Sequence, residues 1–342
     1  MGTVIFMKFN DEQGALVADE STWHLGFKYG YRRSNYGDSI FSLLDEETAK
    51  KSNMSVVYAG VGFPSFHYEV AKKGKTFFDS NIEHYKSLVP ISEKLHEIYC
   101  SIHKRYVDDK LKFFFDFNTD QLNSLNFKKN EKDYEIKQEG IISEAKKIIK
   151  YHDKSPGANR VFDNNGFVMG YDKRNGISGY WLDKDRNTMD FASHLGVLGS
   201  GNQVAIHVYS NVTSKMNLTE RRNGFDMMDG LYLLLNTAVE IKNTNYRFGG
   251  YFQITLIDGT SKYFKTTTKE ILNHNAHLVS EIIQANLWGF INKKDTYELM
   301  QKLLFEDVEY NIVEQEFFAK VSDLDTVRKY LMGYKPVNQG IK

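Results

Sequence analysis

The residues near the start of the chain that could carry out chemistry are a threonine and an aspartate. Thr3 opens a segment rich in β-formers that runs to Phe9, and Asp19 closes a second such segment that begins at Gly14. The polar stretch between them predicts a β-hairpin, which brings the start of one strand beside the end of the next. We therefore expect Thr3 and Asp19 to be neighbours. Each also has a purely structural interpretation, as a strand residue and as a partner for a turn amide.

Two further groups have spacings that fit chemistry but have simpler explanations. His96, Cys100 and His103 would share one helical face, where thiolate and imidazole ligands suit zinc. No fourth ligand is evident, so we favour a partly buried helix face with a packed thiol and predict no metal site. Gly199-Ser200-Gly201 could bind phosphate at a helix start, but no lysine follows it, and we interpret it as a tight turn. We predict no cofactor.

The composition limits the classes of partner. Lysine plus arginine and aspartate plus glutamate each number 44 in 342 residues, so no net charge favours nucleic acid or an anionic membrane. No segment is apolar over the length needed to cross a bilayer. The single cysteine, Cys100, excludes a disulfide within the chain and indicates a reducing compartment. We expect a cytoplasmic location, with the nucleus also open, and protein or small-molecule partners.

The strands and helices that must position these residues are predicted in separate runs along the chain. Strands open the chain and two helices follow them. The segment 108–160 is charged and rich in lysine and asparagine, which predicts a surface insertion. Strands return from Gly166 and helices from Gln203. A final hairpin is predicted from Phe252 to Ile257 and Lys262 to Lys265, joined around Asp258-Gly259. Such segregated blocks predict two sheets between helical layers rather than alternating βαβ units.

The tail of the chain is predicted to be helical beyond Thr266. No proline-rich linker separates it from the rest, since the whole chain has only 4 prolines. We therefore predict one domain over residues 1–266, carrying the insertion, and a helical C-terminal extension over residues 267–342 that packs on it.

Six motifs occur in an order and at approximate spacings that resemble those of one known family. They are Gly2-Thr3, Ala18-Asp19, Tyr58-Ala59-Gly60, Met169-Gly170-Tyr171-Asp172-Lys173-Arg174, Gly199-Ser200-Gly201 and Gly249-Gly250. Together they resemble proteasome beta subunits, over residues 2–107 and 165–258 but not in the insertion or the tail. The resemblance implies the fold of N-terminal nucleophile (Ntn) hydrolases, an α+β four-layer αββα sandwich of two antiparallel sheets between helical layers.

The resemblance also implies a chemistry for four positions. Removal of Met1-Gly2 would leave Thr3 as the first residue, with its hydroxyl as nucleophile and its α-amine, titrating at about 7.7 to 8.0, as base. By the same resemblance, Asp19 orients the threonine, the hydroxyl of Ser200 lies near the nucleophile, and the N–H of Gly60 helps to form the oxyanion hole. The implied activity is that of a threonine-type peptidase acting on a peptide or amide.

Three positions depart from the pattern of the family's active members. Ser39 stands where they have a lysine, and Asn245 and Phe248 stand where they have an aspartate and a serine. Two alternatives to an active peptidase therefore stay open. One is a catalytically degenerate ring subunit or interaction protein, which implies similar subunits or copies of the chain itself as partners in a ring. The other is a stand-alone Ntn amidohydrolase or transpeptidase.

Overall fold

The computed structural model describes residues 3–19, 22–26, 30–34, 38–129, 132–150, 164–183, 186–190, 194–244, 252–271 and 273–331. Its strands are β1 (Thr3–Lys8), β2 (Gln13–Asp19), β3 (Thr22–Gly26), β4 (Gly30–Ser34), β5 (Ile40–Ser42), β6 (Ser55–Val61), β7 (Asn126–Lys129), β8 (Lys132–Glu135), β9 (Asn165–Asp172), β10 (Gly176–Asp183), β11 (Arg186–Asp190), β12 (Leu195–Gly199), β13 (Phe252–Asp258) and β14 (Thr268–Ile271). Its helices are α1 (Glu46–Ser52), α2 (Pro64–Asn81), α3 (Leu88–Phe115), α4 (Thr119–Ser124), α5 (Glu139–Lys150), α6 (Asn202–Thr213), α7 (Leu218–Asn223), α8 (Met227–Thr244), α9 (Asn273–Leu287), α10 (Lys293–Leu304), α11 (Tyr310–Lys320) and α12 (Leu324–Leu331).

Strands β1 and β2 are interior strands of an antiparallel sheet, sheet A, with the strand order β12-β1-β2-β13-β14. The hairpin of β1 and β2 forms as the sequence predicts, and β1 also pairs with β12 so that Thr3 lies opposite Gly199. Strand β13 pairs with β2 and places Phe252 opposite Asp19. One end of sheet A therefore collects the start of β1, the end of β2, the start of β13 and the end of β12.

A second antiparallel sheet, sheet B, has the strand order β11-β10-β9-β6-β5. Its short edge strand β5 pairs with β6 so that Ile40 lies opposite Ala59. Helices α2 and α3 pack on this sheet through a buried cluster that includes Tyr58, Phe66 and Leu95. The mixed helix and strand composition and the antiparallel sheets agree with the predicted α+β class.

Strand β1 contributes side chains to two different cores because successive side chains of a strand point to opposite faces. Val4 and Phe6 belong to a cluster shared with residues of sheet B, in which Phe6 stacks on Phe167 with ring centroids 3.5 Å apart. Ile5 and Met7 belong to a cluster shared with helices α6 and α8 to α12. Sheet A is therefore covered by sheet B on one face and by helices on the other.

The C-terminal helices are part of the largest core. Helix α9 packs on α8 and β13, and α10 and α11 pack on α9. Buried residues occur on every side of α9, among them Leu278, Ile282 and Ile283. The region that the sequence predicts as wholly helical also contains strand β14, which pairs with β13. None of the helices in the described ranges combines the length and apolar character needed to cross a membrane.

The charged segment near 108–160 is more ordered than a surface loop. Its described part contains the end of α3, helices α4 and α5, and the hairpin of β7 and β8. These elements enclose a small apolar cluster of their own, with Val107, Leu111, Phe117 and Leu122 among its buried members. Residues 151–163 lie outside the described part of the chain.

Candidate active site at Thr3

The hairpin of β1 and β2 brings Thr3 against Asp19. The main-chain N–H of Thr3 donates a hydrogen bond of 2.8 Å to Oδ1 of Asp19. Both residues are buried, with exposed fractions of 1% and 2%. A carboxylate in this position would lie beside the α-amine of Thr3 if the preceding residues were removed. Met1 and Gly2 themselves lie outside the described residues.

The hydroxyl of Thr3 is buried, and within the described ranges its Oγ1 has no hydrogen-bond partner. Thr3 follows the phase of Ile5, so its side chain faces the helices rather than sheet B. A Cβ on Gly201 would lie 3.0 Å from Cγ2 of Thr3 and 2.8 Å from Cδ1 of Ile241. Gly201, at the start of α6, therefore lies against both the threonine and the side chain of Ile241 on α8.

The turn after β12 wraps around the end of the Thr3 strand. Gly199 pairs with Thr3 in the sheet and has a φ of 96°, a conformation that favours glycine. Gly201 packs against the methyl group of Thr3, where a side chain would not fit. Ser200 lies between these two contacts and is exposed. The turn thus brings Ser200 to the same end of sheet A as Thr3.

Gly60 lies on β6 in sheet B, where its N–H is already used. It donates to the carbonyl oxygen of Ser39 at 2.9 Å. This bond occupies the donor that the sequence resemblance assigns to an oxyanion hole. An oxyanion role for Gly60 therefore requires the segment at Ser39 to release the N–H first.

A histidine that no sequence motif indicates explains why residue 60 is a glycine. The ring of His67, on α2, occupies the place where a Cβ of residue 60 would lie. His67 is buried, its Nδ1 lies 2.7 Å from the hydroxyl oxygen of Tyr58, and burial lowers its pKa to about 4. Burial also raises the pKa of Tyr58. A lone histidine in an apolar helix face gives no sequence signal for such a position.

Ser39 lies just before β5, and its backbone is held by a second residue that the sequence did not single out. The N–H groups of Ser39 and Ile40 both donate to Oε1 of Gln253, each at 3.1 Å. Next to Ser39, burial and the carboxylate of Glu270 raise the pKa of Asp38. The predicted positions Asn245 and Phe248 lie outside the described residues.

His96 and Cys100, whose spacing could suit zinc, make contacts within the fold. Nε2 of His96 lies 2.7 Å from the carbonyl oxygen of Asp183 and 3.4 Å from Sγ of Cys100. The described part of the chain contains no group of three or more histidine, cysteine, aspartate or glutamate side chains that could hold a metal ion.

Comparison with known proteins gives a fold but no sequence family. No family model and no curated protein matches the sequence. Among solved structures, Anbu (ancestral beta-subunit) from Yersinia bercovieri is 10% identical with a TM-score of 0.48, over 84% of this chain and 93% of that chain. The Anbu complex from Pseudomonas aeruginosa, a helical assembly, is 9% identical with a TM-score of 0.51, over 84% and 95%. The chain shares the fold of the P. aeruginosa Anbu protein. At this identity the likeness extends to the fold alone.

The predicted membership of the proteasome beta-subunit family is therefore wrong. No family model or curated sequence supports it, and what remains is a likeness of fold to Anbu. The glycine motifs that suggested the family have a packing explanation. Gly60 lies against His67, and Gly201 lies against Thr3 and Ile241, so a larger residue would clash at either position. The arrangement of strands and turns imposes these glycines without common family membership.

Proposed function

We propose that the chain is a threonine-type hydrolase that cleaves a peptide or amide bond, with Thr3 as the nucleophile after removal of Met1-Gly2. The observation that supports this function is the buried contact between the Thr3 N–H and Asp19, beside a threonine hydroxyl that has no partner among the described residues. Leaving a buried hydroxyl unpaired costs about 1–3 kcal/mol, so its retention calls for an explanation, and catalysis is one.

The proposed reaction uses Thr3 as both nucleophile and base. The α-amine of Thr3 takes the proton from Oγ1 as this oxygen attacks the carbonyl carbon of the substrate. The C–N bond of the tetrahedral intermediate breaks while the ammonium group returns the proton to the leaving nitrogen. Water then attacks the resulting ester, the amine takes a proton from the water, and Oγ1 recovers that proton as the acid product leaves.

Asp19 would set the pH at which this reaction runs. Its carboxylate lies beside the nitrogen that would become the freed amine, and a nearby negative charge stabilises the ammonium form. The pKa of the amine would then lie above its ordinary range of about 7.7 to 8.0. Since only the neutral amine can take the proton from Oγ1, the reaction rate is expected to rise with pH across this range.

Two other positions have proposed roles in the same reaction. Ser200, in the turn whose glycines contact Thr3 and its strand, is proposed to hydrogen-bond the freed amine. Gly60 is proposed as the oxyanion donor. This role requires the Gly60 N–H to exchange the carbonyl oxygen of Ser39 for the oxyanion while the Ser39–Ile40 segment stays in place, and the Thr3 side chain to turn from the helices towards sheet B. The Gly60 role therefore depends on rearrangement at the Thr3 end of the sheets when Met1-Gly2 is removed.

Intact-mass measurement with a reactive probe tests the proposed function. A β-lactone opens when Oγ1 attacks it, and the resulting ester adds a known mass. We expect the chain to begin at Thr3 and to carry one adduct, and we expect Thr3→Ala to carry none. Thr255→Ala is the matched control, because Thr255 is also a buried threonine of sheet A whose hydroxyl lacks a partner in the described ranges. A chain that keeps Gly2, or an adduct on Thr3→Ala, contradicts the proposal.

A second candidate function is a non-catalytic protein that assembles with copies of itself. The engaged N–H of Gly60 favours it, since an oxyanion donor is not ready. Helix α6 offers a surface: it has no aspartate, glutamate, lysine or arginine from Asn202 to Thr213, and Ile206 on it is 53% exposed. Two copies could meet across such a face without like-charge repulsion. The P. aeruginosa Anbu complex, which shares the fold, forms a helical assembly.

Light scattering after size-exclusion chromatography tests the second function. We expect the chain to form oligomers and Ile206→Lys to shift them towards the monomer. Tyr68→Lys is the control, because Tyr68 on α2 is similarly exposed, at 61%, on the opposite side of the two sheets. A monomer at every concentration would count against assembly.

We also propose a four-layer fold, the division of the chain into a domain and an extension, and a cytoplasmic location. A four-layer Ntn arrangement is supported by apolar clusters between the sheets and on the outer face of each. The division at residues 266 and 267 and the cytoplasmic location are proposed from the sequence, the latter on the single cysteine.

A further inference from the structure

A buried glutamine connects the two sheets at the end that carries Thr3. Gln253 lies on β13 of sheet A and is 4% exposed. Its Oε1 accepts hydrogen bonds from the N–H groups of Ser39 and Ile40 at 3.1 Å each, and its Nε2 donates to the carbonyl oxygen of Ile40 at 2.7 Å. One side chain of sheet A therefore makes three hydrogen bonds to the backbone that leads into edge strand β5 of sheet B.

The connection continues on both sides of the glutamine. In sheet A, Gln253 lies opposite Ala18, one residue from Asp19. In sheet B, the carbonyl oxygen of Ser39 accepts from the N–H of Gly60. An unbroken series of pairings thus runs from the strand of Asp19, through Gln253 and Ser39, to the strand of Gly60. These are the strands that hold the proposed orienting carboxylate and the proposed oxyanion donor.

Most of the remaining contacts between the two sheets are apolar. The cluster between them consists of apolar side chains such as Val4, Phe6, Val57 and Phe167. Apolar burial is non-directional, so it holds the sheets together without fixing their offset to a fraction of an ångström. Hydrogen bonds weaken steeply with distance and angle. The three bonds of Gln253 therefore fix where the Ser39 segment lies relative to Asp19.

We propose that Gln253 is a positioning residue for the reaction at Thr3. It holds the Ser39–Ile40 segment, and with it the backbone around Gly60, at a set distance from the Thr3 and Asp19 pair. This role rests on the proposed hydrolase function. The role does not require Gln253 to touch the substrate, so we expect the residue to affect the rate of the chemical step rather than substrate binding.

The test replaces Gln253 by methionine, which has a similar length and no hydrogen-bonding group to match. Gln13→Met is the matched control, because Gln13 is also a buried glutamine of sheet A but bonds to Asp258 at the opposite end of the sheet. Labelling by the β-lactone is followed as a function of its concentration, which separates the maximal rate from the half-saturating concentration. Hydrogen exchange of the peptide that covers residues 38–42 is followed in parallel.

We expect Gln253→Met to lower the maximal labelling rate at least tenfold with less than a twofold change in the half-saturating concentration. The exchange of residues 38–42 should become at least tenfold faster. Gln13→Met should leave all three quantities within twofold of the unmodified chain. Gln253→Glu keeps the acceptor for Ser39 and Ile40 but loses the donor to the Ile40 carbonyl, so it should fall between the two and serves if the methionine variant does not fold.

Two results overturn the proposal, and they differ from failure of the hydrolase function. If the Gln253 variants label at the normal maximal rate, the residue does not position the site. If exchange at residues 38–42 does not change, the glutamine does not hold the segment. If the unmodified chain never labels, the hydrolase function fails first and the positioning role falls with it.

Discussion

The main-chain N–H of Thr3 donates to Oδ1 of Asp19 at 2.8 Å, so the carboxylate lies beside the nitrogen that would become the amine of a processed chain. The pair joins the beginning of β1 to the end of β2 across sixteen residues of sequence. On the helical side Thr3 lies against Gly201, which in turn lies against Ile241. Each of these contacts can be altered separately.

Removing the charge of Asp19 should move the pH dependence of the reaction. Asp19→Asn keeps an oxygen that can accept from the Thr3 N–H but no longer stabilises an ammonium group. We expect the pH midpoint of β-lactone labelling to be lower than in the unmodified chain. Asp19→Ala also leaves a buried N–H unpaired and should lower the free energy of unfolding by about 1–3 kcal/mol in urea titrations. Equal midpoints for Asp19→Asn and the unmodified chain would contradict the assigned role.

Adding a methyl group at Gly201 should destabilise the fold. An alanine Cβ would meet Ile241 at 2.8 Å and Thr3 at 3.0 Å, which is overpacking against buried neighbours. We expect a loss of about 1–3 kcal/mol in the free energy of unfolding. Adding Ile241→Val should restore part of it, because the nearest contact is removed. Gly140→Ala is the control: a Cβ there has no neighbour within 4 Å, so stability should not fall.

Acid should destabilise the protein partly through His67. Burial lowers the pKa of its side chain from 6.5 to about 4. Between these values the unfolded chain binds a proton that the folded chain does not, so the free energy of unfolding decreases as the pH falls. The decrease due to this residue should approach about 3 kcal/mol at pH 4. Urea titrations from pH 7 to pH 4 should show a shallower decrease for His67→Asn, whereas parallel curves would exclude the effect.

The C-terminal helices should unfold together with the rest of the chain. Ile283 on α9 is fully buried in the cluster that includes sheet A, and Ile283→Ala should cost about 2–5 kcal/mol. Ile312→Ala on α11 is the control and should change stability by less than about 0.5 kcal/mol, since that side chain is 48% exposed. Circular dichroism and tryptophan fluorescence should give one coincident transition. Two separate transitions would indicate an independent extension.

The sequence predicts the hairpin of Thr3 and Asp19 because alternation and a polar turn are local signals. It misplaces the second strand of the last hairpin at Lys262 to Lys265, where Tyr263 and Phe264 suggest a strand. In the structure, Asp258 accepts hydrogen bonds from the N–H groups of Thr260 and Tyr263 and curls this segment into a loop. The strand that pairs with β13 is Thr268–Ile271.

Two residues of the site, Gln253 and His67, are not predicted by the sequence. Gln253 and His67 are single polar residues among apolar neighbours, and neither belongs to a periodic pattern or a motif. Gln253 bonds to a segment more than two hundred positions earlier in the chain. Such pairings follow from how the sheets stack, which no local spacing records. The predicted block of opening strands also misses α1, although Asp45 as a cap, with acidic residues first and lysines last, is a local signal for that helix.

Helix α3 belongs to two apolar clusters at once. Its first half, with Leu95 and Tyr99, packs on sheet B, and its last turns, with Val107 and Leu111, pack inside the small cluster of the charged segment. With 28 residues at about 1.5 Å each, it is a rod about 42 Å long. Because one continuous helix packs in both clusters, it connects the charged segment directly to sheet B, whereas sheet A and its threonine lie on the other side of that sheet.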